Sequence, residues 1–298
     1  MKILITGASG LIGTSLAKSL RFSGNTVLSL SRTPEIDGFK WDPARGEIEL
    51  PNNVNIDAVI HLAGENIARA RWSKNQKEAI LQSRVTGTRL LVDTIIRLQP
   101  TPKTLLSASG IGIYGDRGDV LLDEDDQPGE GFLVDVAREW EAATIPASEA
   151  GMRVANLRMG VVMSTEGGVL KRLLPLFKFG FGAVLGSGDQ YMSWIIIDDV
   201  ISAIEYILTY EDIKGPVNMV APNPVSNREF TKTLGVVLHR PAILRVPSWA
   251  IQAVYGEMGK ELLLASTRAL PHRLLSSGFE FRFPYLEHGL RHVLGRDT

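Results

Sequence analysis

Lys2-Ile3-Leu4-Ile5-Thr6-Gly7-Ala8-Ser9-Gly10-Leu11-Ile12-Gly13 is an apolar run that breaks at a glycine and resumes with the spacing of a helix. Ile3, Leu4 and Ile5 have the unbroken apolar character of a strand covered on both faces. Leu16, Ala17 and Leu20 recur just beyond at helical intervals. A glycine turn between such a strand and a helix N-terminus presents backbone amides to an anion. Gly7 permits the tight turn, Gly10 admits phosphates close to the backbone, and Gly13 lets the helix pack closely. The spacing G-x-x-G-x-x-G is one residue longer than the commonest form of this fingerprint. The strand before it and the helix after it mark a dinucleotide pyrophosphate site, with Gly7, Ser9, Gly10, Leu11 and Ile12 as its contacts.

The end of the next strand selects among dinucleotides. Thr26-Val27-Leu28-Ser29-Leu30 reads as that strand and runs into Ser31-Arg32-Thr33. A site for NAD places a carboxylate here, about 20 residues past the glycines, to accept from the ribose 2′-hydroxyl. A guanidinium instead offers a charge-assisted fork to a 2′-phosphate, and Ser31 adds a hydroxyl. Arg32 and Ser31 therefore predict NADP(H).

A chain of 298 residues is long enough for one large α/β unit with an appended lobe. Its 44% hydrophobic and 22% charged residues are those of an ordinary globular protein. A net charge of −1 gives no electrostatic reason to expect nucleic acid or an anionic membrane as partner. With no cysteine, thiolate and disulfide chemistry are excluded, which suits a reducing compartment. The N-terminal apolar run is too short and glycine-broken for a signal peptide, and no run approaches ~20 apolar residues. The expected setting is cytoplasmic.

Apolar runs alternate with helical patterns through the first half, as βαβ units and a parallel sheet require. After the first two strands come a short run at residues 39–42 and clear strands at 57–64, 103–109 and 153–158, with a last one near 216–220. The pattern predicts a Rossmann-type doubly wound parallel α/β sheet with a smaller, mainly helical C-terminal substrate lobe. Residues 1–165, with returning segments near 190–222, form the NADP(H)-binding domain. Residues 166–298 form the capping lobe, including a separately punctuated, helical stretch from around residue 241 to the end. Ligands in such sheets bind beyond the carboxyl ends of the strands. Leu62, Ala63, Gly64, Glu65, Ser107, Ala108, Arg158 and Gly160 therefore join the cofactor candidates.

A long helix begins at Ser73, where Ser73 and Gln76 form a capping box. Its apolar stripe runs through Ile80, Gly87, Leu91 and Ile95, and Arg84 falls on that stripe. An arginine on a core-facing stripe requires an anionic or carbonyl partner. It either snorkels to the helix edge or points into the cofactor and substrate cleft. Tyr114, near the end of the 103–109 strand, is a candidate general acid with Arg84 as the cation beside it; the alternative is a tyrosine packed beneath the lobe. Tyr191 and Trp194 either stack on a ring-containing substrate or pack in the core. Glu65, Arg69, Arg71 and Trp72 either line the substrate pocket or hold a loop together. His288 and His292 lie four apart without a third ligand, so a solvated helix face fits better than a metal site.

These segments together resemble the extended short-chain dehydrogenase/reductase family. The resemblance rests on residues 6–13, 57–64, Ile113-Tyr114-Gly115, Leu157-Arg158-Met159-Gly160 and Trp194-Ile195-Ile196-Ile197-Asp198-Asp199-Val200. Ala63-Gly64-Glu65-Asn66-Ile67, Arg71-Trp72, Trp140-Glu141-Ala142-Ala143, Gly186-Ser187-Gly188 and residues 242–247 are similar to one atypical subgroup. That subgroup is the epimerase family proteins with their own C-terminal domain, sometimes labelled cell-division inhibitors. The resemblance implies NADP(H) binding, leaves the substrate open, and leaves a homodimer open. Members that transfer hydride use a Tyr-x-x-x-Lys pair. With Glu141 aligned to that helix's usual glutamate, Leu133 and Ala137 stand at those two positions. Arg84 stands where many relatives have Asn, and the family's serine falls on Ser109 or Gly110.

Two classes follow. One is an NADP(H)-dependent oxidoreductase or epimerase acting on a small polar, sugar-like metabolite, with Tyr114 and Arg84 as catalytic candidates. The other is a non-catalytic NADP(H) sensor or scaffold, favoured by the missing Tyr-Lys pair.

Overall fold

The computed structural model describes residues 1–34 and 38–296. Its centre is an eight-stranded sheet built on β1 (Lys2–Thr6), β2 (Thr26–Ser31), β3 (Gly38–Asp42), β4 (Glu47–Ile48), β5 (Ala58–His61) and β6 (Thr104–Gly110). Strands Arg153–Met159 and Gly215–Met219 complete it. Across the sheet the order is Gly215–Met219, Arg153–Met159, β6, β5, β1, β2, β3, β4. Every pairing is parallel except the β3–β4 hairpin at one edge. The two-residue β4 is too short to carry a periodic signal, and it is absent from the sequence expectation.

Alternation along the strands sends neighbouring side chains to opposite faces. Ile3, Ile5, Ala58 and Ile60 pack on one face with Leu16 and Leu20 of helix α1 (Leu11–Phe22) and with Val200, Ile204 and Ile207. Leu4, Val59, Leu105 and Val154 face the other way, against Leu91 and Ile95 of helix α2 (Lys74–Ile95) and against Ala147. Both faces are thus covered by helices, which is the doubly wound arrangement. Full burial of each Leu or Ile contributes roughly 1.5–3 kcal/mol. Ser73 caps α2 as its sequence predicts: its side chain accepts from the Gln76 amide at 3.2 Å.

The chain leaves β1 toward β2 on one side, while β5 lies on the other. That reversal opens a crevice outside the carboxyl ends of β1 and β5.

The stretch from residue 241 onward is mainly helical, as its punctuation suggests, with two short strands added. Leu244–Val246 runs parallel to Ala183–Leu185, and Arg268–Ala269 runs parallel to Leu121–Leu122. These strands are two or three residues long and pair with segments far away in sequence, so local periodicity does not reveal them. Among the described residues, helices Ser248–Tyr255, Glu257–Gly259, His272–Ser276 and Leu286–Val293 make up the rest, with a π-helical turn at Lys260–Leu264. Asp199 anchors the tail: its buried carboxylate accepts from the Arg282 and Phe283 amides at 2.9 and 3.0 Å. No helix among the described residues is long and apolar enough to cross a membrane.

Candidate functional site

The glycine turn is shaped by close backbone packing. Gly7 has φ of +71°, and a β-carbon there would lie 2.8 Å from the Ala63 amide nitrogen. A β-carbon at Gly13 would lie 2.1 Å from the Gly7 carbonyl oxygen. The helix is therefore pressed onto the turn itself. The Gly10 amide donates to that same Gly7 carbonyl at 2.9 Å. No side chain caps α1 at Gly10, so the first-turn amides of α1 and the positive end of its dipole are available to an anion. Ser9 and Gly10 are exposed at this mouth. Leu11 turns away and packs on Gly167, and Ile12 packs against the core.

At the end of β2, Arg32 is exposed, and no ion pair among the described residues engages it. Ser31 contributes less than its hydroxyl suggests, because it donates to the Thr33 carbonyl at 2.7 Å. These residues fit an adenosine dinucleotide with a 2′-phosphate: a cradle that β-carbons would fill, an open helix N-terminus, and a cation where the ribose would end.

The β5 strand delivers the opposite wall. Leu62 and Ala63 are held by Thr6, whose carbonyl accepts from the Leu62 amide and whose hydroxyl accepts from the Ala63 amide. Gly64 faces Arg84: a β-carbon at Gly64 would lie 3.2 Å from the guanidinium carbon. Arg84 donates to the carbonyls of Glu65 and Ile80 at 2.9 and 3.3 Å, both through Nη1. Its guanidinium also lies 4.9 Å above the Trp140 ring. Burial lowers its pKa to about 10, with the charge of Glu65 partly opposing, so it remains a cation at neutral pH. It points toward Gly64 and the crevice rather than to the helix edge. Glu65 itself pairs with Arg69 at 3.1 Å.

One residue of this wall carried no functional signal in the sequence. His61 is fully buried, with Nδ1 hydrogen-bonded to Thr6 at 2.6 Å and Nε2 to Thr88 at 2.9 Å. Burial, reinforced by the charge on Arg84, lowers its pKa to about 3. A neutral imidazole thus bolts β1, β5 and α2 together behind the crevice.

Other candidates sit elsewhere. Tyr114 is 0% exposed; its hydroxyl donates to Asn218 at 2.8 Å and accepts from Arg158 at 2.9 Å. Burial pushes its pKa up to about 12, only partly opposed by Arg158. The cation beside it is Arg158, not Arg84, and a sealed hydroxyl with both roles taken is not presented to a substrate. Arg158 is likewise taken up by partners within the fold. It forms a two-pronged pair with Glu141, Nε to Oε1 at 2.8 Å and Nη2 to Oε2 at 3.0 Å. Burial alone would lower the Arg158 pKa, but the Glu141 carboxylate outweighs it and raises it.

Glu141 lies on helix α3 (Phe132–Ala142) and also accepts from Ser109 at 2.7 Å, so Ser109 is committed to this cluster. Ser107 is fully buried inside β6, with Ala108 beside it in the strand. Gly160 makes room for the Ser193 carbonyl and Val220, each 2.7 Å from where its β-carbon would be. Trp194 is fully buried, its indole donating to the Asn223 carbonyl at 2.9 Å, which makes it a core residue. Tyr191 is half-buried beneath the Arg268 guanidinium, 4.4 Å from its ring. His288 is exposed, while His292 stacks on Phe283 and approaches Asp198.

At the start of α3, Leu133 packs against Gly112 and Ala137 is buried. Glu261, from the π-helical turn, accepts from the Phe132 and Leu133 amides at 3.0 and 2.9 Å. Lys77 pairs with Glu257 nearby, and Trp72 meets Phe132 edge to face. The tail therefore closes over the N-terminal ends of both α2 and α3. Arg69, Arg71 and Trp72 hold this loop: Arg71 reaches Gly256 and the Trp72 indole donates to the Ile67 carbonyl.

The sheet order, the glycine turn and the crevice at the β1–β5 reversal define a Rossmann-type protein with a C-terminal lobe. The NAD dependent epimerase/dehydratase family model matches residues 3–220, and the domain of unknown function DUF1731 matches residues 246–293. The human epimerase family protein SDR39U1 is 32% identical over 297 residues, covering 99% of this chain and all of that one. A crystal structure of its isoform 2 with NADPH superposes with a TM-score of 0.91, covering 99% of each chain. An epimerase family protein of Mycobacterium bovis is 40% identical over 296 residues, 99% of this chain and 98% of its own. A nucleoside-diphosphate sugar epimerase of Corynebacterium glutamicum is 36% identical with a TM-score of 0.81; this chain spans 58% of its length. The chain belongs to the NAD dependent epimerase/dehydratase family, among the epimerase family proteins that carry the extra C-terminal domain.

Proposed function

We propose that the protein binds NADP(H) and uses it as an oxidoreductase or epimerase on a small polar, sugar-like metabolite, with Arg84 as the cationic group at the inner end of the crevice. The observation that carries this reading is the guanidinium at Gly64. Among the described residues it has only carbonyl acceptors, both on Nη1, so Nη2 and Nε keep donors for an oxygen atom of a ligand. NADPH in the human relative's crystal structure supports the cofactor choice, as does Arg32 beyond β2. Gly7, Gly10 and the α1 N-terminus would hold the diphosphate, Arg32 the 2′-phosphate, and Ala63 and Gly64 the wall beside the nicotinamide half. When bound, the nicotinamide supplies the hydride. Arg84 orients the reacting oxygen and stabilises negative charge that develops on it.

A second reading is favoured by one specific observation. Helix α3 carries Leu133 and Ala137 where a Tyr-Lys pair would stand, and Tyr114 is sealed in the core. An NADP(H)-sensing protein without turnover would need neither pair nor acid.

Nicotinamide absorbance followed against fractionated metabolite pools, with chromatography of the sugar isomers in each pool, separates the two. The enzyme reading expects either NADPH oxidation or NADP⁺ reduction that survives purification, or, for an epimerase, interconversion of isomers with no net change in absorbance because the hydride returns to the substrate. Arg84→Met then lowers turnover about a hundredfold while NADPH still binds, and Tyr114→Phe leaves turnover intact. NADPH binding with no turnover against any pool supports the sensor instead.

A further inference from the structure

The near-zero net charge conceals a strongly uneven distribution. Residues 167–188 contain no Asp or Glu, and neither do residues 230–256; together they carry Lys171, Arg172, Lys178, Lys232, Arg240 and Arg245. The fold brings these two segments together. Leu244–Val246 pairs with Ala183–Leu185, Arg240 donates to the Lys178 carbonyl at 2.9 Å, and Gly182 is wedged between Phe177 and Ala242.

On the shared surface stand large apolar side chains that no described residue covers. Phe179 is 78% exposed, Phe181 60% and Ile243 83%, with Leu176, Val236 and Leu244 also at least partly bare. Lys178, Lys232, His239, Arg240 and Arg245 are all exposed around them. Among the described residues an acid stands at each end of the two segments: Asp189 is paired with Arg228 and Glu257 with Lys77, while Glu166 and Glu229 flank the other two ends.

We propose that this face docks on an anionic lipid bilayer surface. Apolar tips ringed by cations match acyl chains beneath anionic headgroups. Other occupants match less well. A second copy would set cations against cations across a symmetric contact. A nucleic acid strand would find only the Phe179 and Phe181 rings to stack on, whereas Leu176, Val236, Ile243 and Leu244, which make up the rest of the apolar surface, are aliphatic. The inference is independent of the cofactor reading.

Co-sedimentation of the full chain with vesicles tests it, comparing phosphatidylcholine alone with phosphatidylcholine containing phosphatidylglycerol. The expected result is pelleting with the anionic vesicles only, relieved by high salt. Lys178→Gln and Lys232→Gln should each weaken partition about fivefold. Phe179→Ser with Ile243→Ser should weaken it further without changing the salt dependence. All four positions are exposed, so unchanged thermal melts establish that the variants are folded. Equal pelleting with both vesicle types, or binding indifferent to Phe179 and Ile243, overturns the proposal. So does equal competition by duplex DNA, or a dimer in sedimentation velocity that Ile243→Ser dissolves.

Discussion

At the residue scale, the crevice rests on buried polar groups whose state is fixed by their surroundings. His61 is held neutral, with a pKa of about 3 in the fold against about 6.5 in an unfolded chain. Below pH 6.5 the unfolded chain takes up a proton that the folded one refuses. The stability contributed by neutral His61 is therefore complete above pH 6.5 and is lost as pH falls toward 3. The slope is up to about 1.4 kcal/mol per unit. Urea unfolding of the wild type and His61→Gln between pH 7 and pH 5 should show the wild type losing about 2 kcal/mol more; parallel profiles would contradict the assignment.

The Arg158–Glu141 pair makes a second test. Glu141→Leu strands a buried guanidinium and should cost about 3–5 kcal/mol. Pairing it with Arg158→Met should recover much of that loss in the same denaturant titration. A double variant no more stable than Glu141→Leu would mean the pair is not the coupled unit described here.

At the element scale, Glu261 acts as the cap of α3 from 129 residues away. A carboxylate on two first-turn amides satisfies orphan donors and opposes the helix dipole. Glu261→Ala should cost roughly 1–2 kcal/mol, and hydrogen exchange should rise at residues 132–136 while β6 stays protected. Unchanged exchange at those amides would show that the cap does not hold the helix start.

These elements also show what the sequence makes legible. The glycine turn and the Ser73–Gln76 cap were readable because both partners lie within a few residues. The Arg84 stripe was readable because its helical spacing placed it inward. Arg158 was not, because a strand-end arginine gives no sign that Glu141, on a different element, will claim it. The same holds for Tyr114, sealed by Asn218 104 residues on. Trp194 was ambiguous for a different reason, since a tryptophan beside isoleucines has the same pattern whether it meets ligand or core. The Glu261 cap and the two- and three-residue strands of the lobe arise only from long-range pairing, and local pattern cannot encode them.

At the scale of the whole molecule, tail and sheet are one structure. Strand Gly215–Met219 sits at the sheet edge, and Asn218 donates to the Leu270 carbonyl at 2.9 Å. Ser193, just before the Trp194–Ile196 strand, donates to the Thr267 carbonyl and accepts from the Ala269 amide. Such interleaving predicts a single cooperative unfolding transition by circular dichroism and tryptophan fluorescence alike; two separated transitions would contradict it. A ligand that binds only the folded state raises the whole transition, by about 2.7 kcal/mol at a hundredfold excess over its dissociation constant. NADPH should do so more effectively than NADH at equal concentration.

The central claim is that a 2′-phosphorylated dinucleotide lies over the glycine turn with its phosphate on Arg32. Parallel calorimetric titrations of NADPH and NADH into the wild type and Arg32→Ala test it most directly. The account predicts NADPH binding about ten- to a hundredfold tighter than NADH in the wild type, with that margin abolished in Arg32→Ala. Equal affinities in the wild type, or a preference for NADPH that survives the substitution, would contradict it.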